Sequence, residues 1–261
     1  MIDQLWMILL GFAAGVLGSM IGVGGGIIVV PVLTFLGFPP TVAASNSLFA
    51  ALSNSIASTI SYSRQKRIEF SLGLKLGLLT IPGTIIGALL STDESPEIFK
   101  FLFGFVLIAS AAYIFLRKKI EDKEKTLSKQ MIVFAVGASF FAGIISSFFG
   151  IGGGIIFVPL MVVGMGMAMK RAAPTSQLIL LFASLSGVII HSLLGHTDFL
   201  QAGFLAIGAF IGGLVGARLS LDIKERYLQI LISVVIIIAA GKLFFDSIMG
   251  DSNFFAIFNL K

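Results

Sequence analysis

The sequence predicts an all-α polytopic membrane protein built from two homologous halves. Three observations carry this: the composition, the spacing of the few charges, and a glycine-rich decapeptide that occurs twice. Hydrophobic residues make up 57% of the 261, charged residues only 12%, and mean hydropathy is +1.04. A soluble domain carries about 25% charge, so water is not the main solvent of this chain. Charge-free runs such as Met131–Met169, Ala172–Thr197 and Phe199–Ala217 reach the length of about 18 residues that marks a bilayer span.

The decapeptides are GVGGGIIVVP (22–31) and GIGGGIIFVP (150–159), identical at eight of ten positions. The match extends well beyond them. Phe12, Ala14 and Gly15 correspond to Phe140, Ala142 and Gly143 at an offset of 128. One inserted residue later the offset is 129, which pairs Asn46-Ser47 with Thr175-Ser176 and Glu69-Phe70 with Asp198-Phe199. Gly83 and Gly87 fall in the same way on Gly212 and Gly216. The expected organisation is a first membrane repeat over 1–116, a basic connecting loop over 117–130 and a second repeat over 131–261, together one integral membrane domain.

Each half holds four apolar blocks. They run at about 5–36, 42–63, 70–91 and 98–116, then at about 131–165, 172–194, 199–219 and 227–248. The leading MIDQLWMILLGF lacks the basic region of a cleaved signal and carries Asp3, so it is read as part of the mature first segment. The first block of each half is some 30 residues long, interrupted by the glycine cluster and then by Pro31 or Pro159. A helix running through the glycines would lose roughly 1 kcal/mol at each relative to alanine, and proline disrupts a helix interior further. Two helical pieces with a break between them are expected there. Blocks two to four have ordinary spanning length.

Loop charges bear on how the first block sits. If all eight blocks cross, the Lys and Arg residues divide 12 to 6. If each first block dips in and returns, three spans remain per half and the second half is inverted. Only Lys100, Lys242 and Lys261 then lie on the lysine-poor face. The larger asymmetry favours inversion and puts basic loops 64–69 and 117–129 in the cytoplasm. It also matches a transporter plan of inverted repeats whose broken helices meet at the midplane. Eight parallel spans are the alternative.

Several function classes are excluded. The chain has no cysteine, hence no disulfide or thiolate metal site. No nucleophile–base arrangement, metal-ligand spacing or P-loop lysine is present, so neither an enzyme nor a bound metal or cofactor is expected. The net charge of +5 is scattered over short loops, which suits membrane orientation and not nucleic acid. GVGGG lies in membrane-length apolar sequence, whereas a dinucleotide fingerprint needs a βαβ setting. All 13 acidic residues lie in or beside loops, which removes the usual intramembrane proton carrier. Lys75, Arg218 and Lys242 sit near block ends and read as snorkelling side chains.

What remains points to an anion. Successive glycines let backbone N–H groups converge on one cavity, and a helix starting just after them adds its positive dipole end. An oxyanion is the natural ligand of such a place. The candidate substrate-binding residues are Gly22, Gly24, Gly25 and Gly26 with Gly150, Gly152, Gly153 and Gly154, and the helix-break prolines are Pro31 and Pro159. Ser45, Asn46 and Ser47 in one half, and Thr175, Ser176 and Gln177 in the other, supply neutral groups to line a path. Hydrogen bonding between helices explains such residues too, equally well for Ser53–Ser55. His191 is the one titrating candidate.

A duplicated GxGGGxxxVP in a Phe- and Gly-rich membrane chain of this length resembles the TauE/SafE family of sulfite exporter-type permeases. The resemblance spans nearly the whole chain, with both motif copies intact. It implies a cell-membrane transporter of sulfur-containing oxyanions such as sulfite or an organosulfonate. It also carries the family's motif onto the eight glycines above and onto Pro31 and Pro159. The expectation is therefore a secondary transporter whose partners are a small anion and the lipid bilayer. An anion channel using the same sites, or a scaffold in which the glycines only pack, are the rival readings.

Overall fold

The computed structural model describes residues 5–92, 99, 101–108, 129–221, 237, 240 and 241. Both glycine clusters end one helix and begin another. Helix α1 (Trp6–Ile21) stops where Gly22 takes a left-handed conformation, φ 80°, with its N–H returned to Gly18 O and Ser19 O. Left-handed glycine is the usual way to close a helix while satisfying its last carbonyls. After three residues α2 (Gly26–Phe35) begins. The second copy repeats this: α5 (Lys129–Phe149) ends, Gly150, Gly152 and Gly153 all have positive φ, and α6 (Gly154–Pro159) starts. The two prolines behave differently. Helix α2 runs on through Pro31, whereas at Pro159 α6 passes into a wider π-turn over Leu160–Gly164. The glycines alone make the first break.

Four long helices complete the described bundle: α3 (Pro40–Arg64), α4 (Phe70–Leu90), α7 (Met169–Leu193) and α8 (Phe199–Leu219). Helices α4, α7 and α8 are long and apolar enough to cross a membrane. Their outer faces expose Leu78, Leu89, Ile189, Leu193, Ile207 and Ile211. Large apolar side chains exposed along three helices of spanning length suit lipid and not water. The fourth block of each half, the connecting loop before Lys129 and the acidic turn TDESPE fall largely outside the described residues; of the first of these, residues 101–108 are helical.

The helices of the two halves interleave. Helix α1 lies along α8, where Gly15 meets the Ala209 backbone and Gly212 meets Phe12 and Val16. Helix α4 lies along α5 in the same manner, with Gly143 against Thr80 and Gly83 against Phe140. A Cβ at these glycines would enter the facing backbone, so small residues are what let each pair approach. At one end of the bundle, Arg67 Nε donates to Lys170 O at 2.8 Å, its Nη1 donates to Ser220 Oγ at 2.9 Å, and Glu69 pairs with Arg171. At the other end Ser45 Oγ lies 2.7 Å from Thr197 Oγ1, and the Asp198 N–H donates to Asn46 Oδ1 at 3.1 Å.

Helices α3 and α7 end in matching left-handed turns, at Lys66 (φ 56°) and Gly195 (φ 75°). A side chain in that region costs roughly 1–2 kcal/mol that glycine avoids. Lys66→Gly is therefore expected to raise the thermal midpoint of the purified protein by a few degrees, less the greater unfolded-chain entropy of glycine. A fall in the midpoint would mean that the Lys66 side chain stabilises this turn through contacts of its own.

Candidate functional site

The two breaks pack back to back in the buried centre of the bundle. A Cβ on Gly26 would collide with the Gly150 carbonyl, and one on Gly154 with the Gly22 carbonyl. Those same carbonyls are tied by serines of the opposite half: Ser47 Oγ donates to Gly150 O at 2.8 Å, and Ser176 Oγ donates to Gly22 O at 2.6 Å. Leu180 lies against both Gly24 and Gly152. The glycine clusters, Ser47, Ser176 and Gln177 are thus brought together, all of them buried.

Three of the sequence candidates lie elsewhere. Ser45 bonds Thr197 in the loop before α8, and Asn46 holds both the Asp198 N–H and Gln201 Oε1. Thr175 accepts the Glu69 N–H at 3.0 Å, the counterpart of the Asn46–Asp198 bond in the other half. These side chains fix where α4 and α8 begin; they do not reach the breaks. The physical reason is one of register. Residues 46 and 47 are adjacent on a helix and point about 100° apart, so Ser47 faces the breaks while Asn46 faces the loop.

Among the described residues, the N–H groups of Gly25, Gly26 and Ile27 and of Gly152, Gly153 and Gly154 reach no acceptor. All six residues are buried. Buried backbone donors without a partner are rare in folded proteins, and here they form two clusters at the starts of α2 and α6. Side chains next to them are in the same condition. Gln177 Nε2 donates to Gly18 O at 3.0 Å while its Oε1 has no partner, and the hydroxyls of Ser146 and Ser147 have none either. Ser146 and Ser147 are not among the residues that the sequence singles out. They stand four and three residues before the second glycine cluster, as Gly18 and Ser19 stand before the first, and that register is legible in the repeat. A small cavity beside the first break is lined by Leu17, Gly18, Ile21, Val23, Gly24 and Ile27.

His191 is buried at the far end of α7. Its Nε2 lies 3.0 Å from Ser147 O and its Nδ1 3.0 Å from Nδ1 of His196. No group of three or more metal-ligating side chains occurs among the described residues.

Apolar helices of spanning length, lipid-suited outer faces and buried broken helices at the centre are the features of a polytopic membrane transporter. Comparison with known proteins makes the class specific. The family described as Sulfite exporter TauE/SafE matches residues 7–243, and the chain belongs to that family. A relative from Bacillus subtilis, named as the probable membrane transporter protein YunE, is 30% identical over 94% of this chain and 98% of its own length. The probable membrane transporter protein MJ0441 of Methanocaldococcus jannaschii is 29% identical over 88% of this chain and 91% of its own. The probable membrane transporter protein YfcA of Escherichia coli is 26% identical over 90% and 87%. No solved structure matches the chain.

Proposed function

We propose that the protein is a carrier for a small oxyanion, held between the two glycine breaks near the middle of the membrane. The observation that carries this reading is the set of six buried, unpartnered N–H groups at Gly25–Ile27 and Gly152–Gly154. Donors at helix starts attract negative charge, and in a medium without water they need an acceptor. The family's description names sulfite, and sulfite or a short organosulfonate has the charge and the oxygens to supply that acceptor. Ser146 and Ser147 add hydroxyl donors beside the second break.

The carrier works as two inverted repeats, 1–116 and 131–261, joined by the loop 117–130. Support comes from reciprocal contacts, Ser47 to Gly150 against Ser176 to Gly22. Support also comes from the bundle ends: loop 65–69 lies with Lys170, Arg171 and Ser220, while the start of α3 lies with Thr197 and Asp198. Eight parallel spans would put the members of each group on opposite faces. With basic loops 64–69 and 117–129 cytoplasmic, Lys and Arg raise the local anion concentration at that mouth. Alternating access follows from rocking of one repeat against the other.

The test is flux into proteoliposomes of sulfite, thiosulfate, sulfate and a short organosulfonate, with and without a pH gradient. A carrier gives saturable flux of one of them with counterflow. Non-saturating flux without counterflow would make the protein a channel, and no flux of any would remove the oxyanion reading. For topology, single cysteines placed in this cysteine-free chain at 37–42 and at 165–171 are expected to label from opposite faces. Labelling from one face would restore the eight-span arrangement.

A further inference from the structure

Helices α3 and α7 close with the same turn, and each turn folds one side chain back over another. The Arg67 N–H donates to Tyr62 O at 3.2 Å, and the His196 N–H to His191 O at 3.0 Å. The Arg67 guanidinium carbon sits 5.1 Å from the centre of the Tyr62 ring; the rings of His191 and His196 are 5.2 Å apart. The inner member of each pair then ties to the carbonyl three residues before a glycine cluster. Tyr62 donates its hydroxyl to Ser19 O at 2.9 Å, and His191 Nε2 contacts Ser147 O at 3.0 Å. Tyr62 and His191 stand 129 residues apart, as do Arg67 and His196, which is the repeat offset. One pair sits at the Lys170 end of the bundle and the other at the Thr197 end, so each lies between a glycine break and its own face.

We propose that these two pairs are the gates of the transport cycle, and that only the histidine gate answers to protons. The proposal rests on the inverted-repeat carrier reading above. Geometry is shared between the pairs; chemistry is not. Tyrosine and arginine hold one charge state from about pH 5 to pH 8, whereas histidine changes its charge in that window. A carbonyl only accepts, so His191 Nε2 carries a hydrogen. In the neutral pair His191 Nδ1 is then the acceptor and His196 Nδ1 the donor. Protonating both rings leaves two N–H groups facing each other across 3.0 Å, with like charges and no acceptor. The contact must open.

Among the described residues α1 and α6 carry no charge, and Arg64 of α3, Lys75 of α4, Lys129 of α5 and Arg218 of α8 all belong to the opposite end. Asp198 is the remaining charged neighbour among the described residues; its Oδ1 is held by the N–H groups of Leu200 and Gln201, which fixes it at the start of α8 and not between the two rings. Burial lowers the pKa of His196 below its ordinary 6.5. A first proton, on His196 Nε2, leaves its Nδ1–H donating to His191, so the contact is fully closed above about pH 6.5 and is lost as pH falls and a second proton reaches His191 Nδ1. The Arg67 gate has additional bonds to Lys170 O, Ser220 Oγ and Gln65 Oε1, and acid leaves them in place.

The test needs no substrate. Ser147→Cys puts a thiol behind the histidine pair and Ser19→Cys puts one behind the Tyr62–Arg67 pair. Each is alkylated with a membrane-impermeant reagent in proteoliposomes, and rates are normalised at each pH to the denatured protein. Taking about two pH units downward from pH 7.5 is expected to speed labelling of Ser147→Cys by roughly tenfold or more and to leave Ser19→Cys unchanged. Adding His191→Tyr with His196→Arg, which gives this face the chemistry of the other, is expected to abolish the acceleration; His196→Gln alone serves if the double variant does not fold. Labelling that ignores pH, or an acceleration that survives these variants, overturns the proposal. Flux of an oxyanion with pH-independent labelling would sink the gate and leave the carrier, whereas pH-gated labelling without flux would do the reverse.

Discussion

Gly150→Ala is expected to cut the yield of folded protein in the membrane sharply, and Gly22→Ala to do the same. Each residue combines two penalties. Gly150 has φ 72° and Gly22 φ 80°, where a Cβ costs roughly 1–2 kcal/mol. A Cβ on Gly150 would also enter the backbone of Ala44, and one on Gly22 would lie 2.5 Å from Ala173 Cα. Overpacking typically adds about 1–3 kcal/mol, and backbone cannot turn aside as a flexible side chain can. Against a total stability of about 5–15 kcal/mol that is a large share at one position. Detergent-solubilised yield and size-exclusion profile measure it. Gly25 makes the instructive contrast: its φ is −76°, and its nearest contact would be Ala14 Cβ at 3.1 Å. Gly25→Ala is expected to fold, so normal recovery of the first two variants would show that the breaks do not pack as tightly as the geometry requires.

That contrast marks where sequence reasoning was strong and where it stopped. Glycine clusters in charge-free sequence have few uses, so the break in each first block followed from residue type alone, as did the membrane setting. The path-lining residues were harder. Asn46 and Ser47 are neighbours in sequence yet serve different places, one fixing the start of α8 and the other holding Gly150 O. A polar run on a helix does not reveal which member faces inward until its partners are known. Pro31 misled for a related reason, since a proline six residues into a helix is disruptive in general but is carried within α2. The matching of Tyr62 with His191 was hidden because the repeat conserves their geometry while changing their chemistry. The repeat offset aligns the two positions, and the shared carbonyl contacts at Ser19 and Ser147 give that alignment its meaning.

Gln177→Leu is expected to cut oxyanion flux by roughly ten- to a hundredfold while leaving the fold intact. The repeat supplies the reason for the second half of that statement: the position 129 residues earlier is Leu48, which is fully buried in an equivalent helix. Leucine is therefore a side chain this architecture already accepts there. The structural loss is one hydrogen bond to Gly18 O, worth about 0.5–1.5 kcal/mol, and that carbonyl still takes the N–H groups of Gly22 and Val23. Set against this, removing the unpartnered Oε1 relieves a buried acceptor, which is neutral or stabilising. Such an acceptor beside the first break is useful only to a species that brings a hydrogen, either the hydroxyl of a protonated oxyanion or a water travelling with it. A hydrogen bond involving a charged species contributes about 1.5–3 kcal/mol, which converts to the stated fall in flux. Comparable thermal midpoints with reduced flux would place Gln177 in the transport path. Equal flux in both proteins would leave it a helix-packing residue, and would return the selection of the anion to the backbone donors of the two breaks.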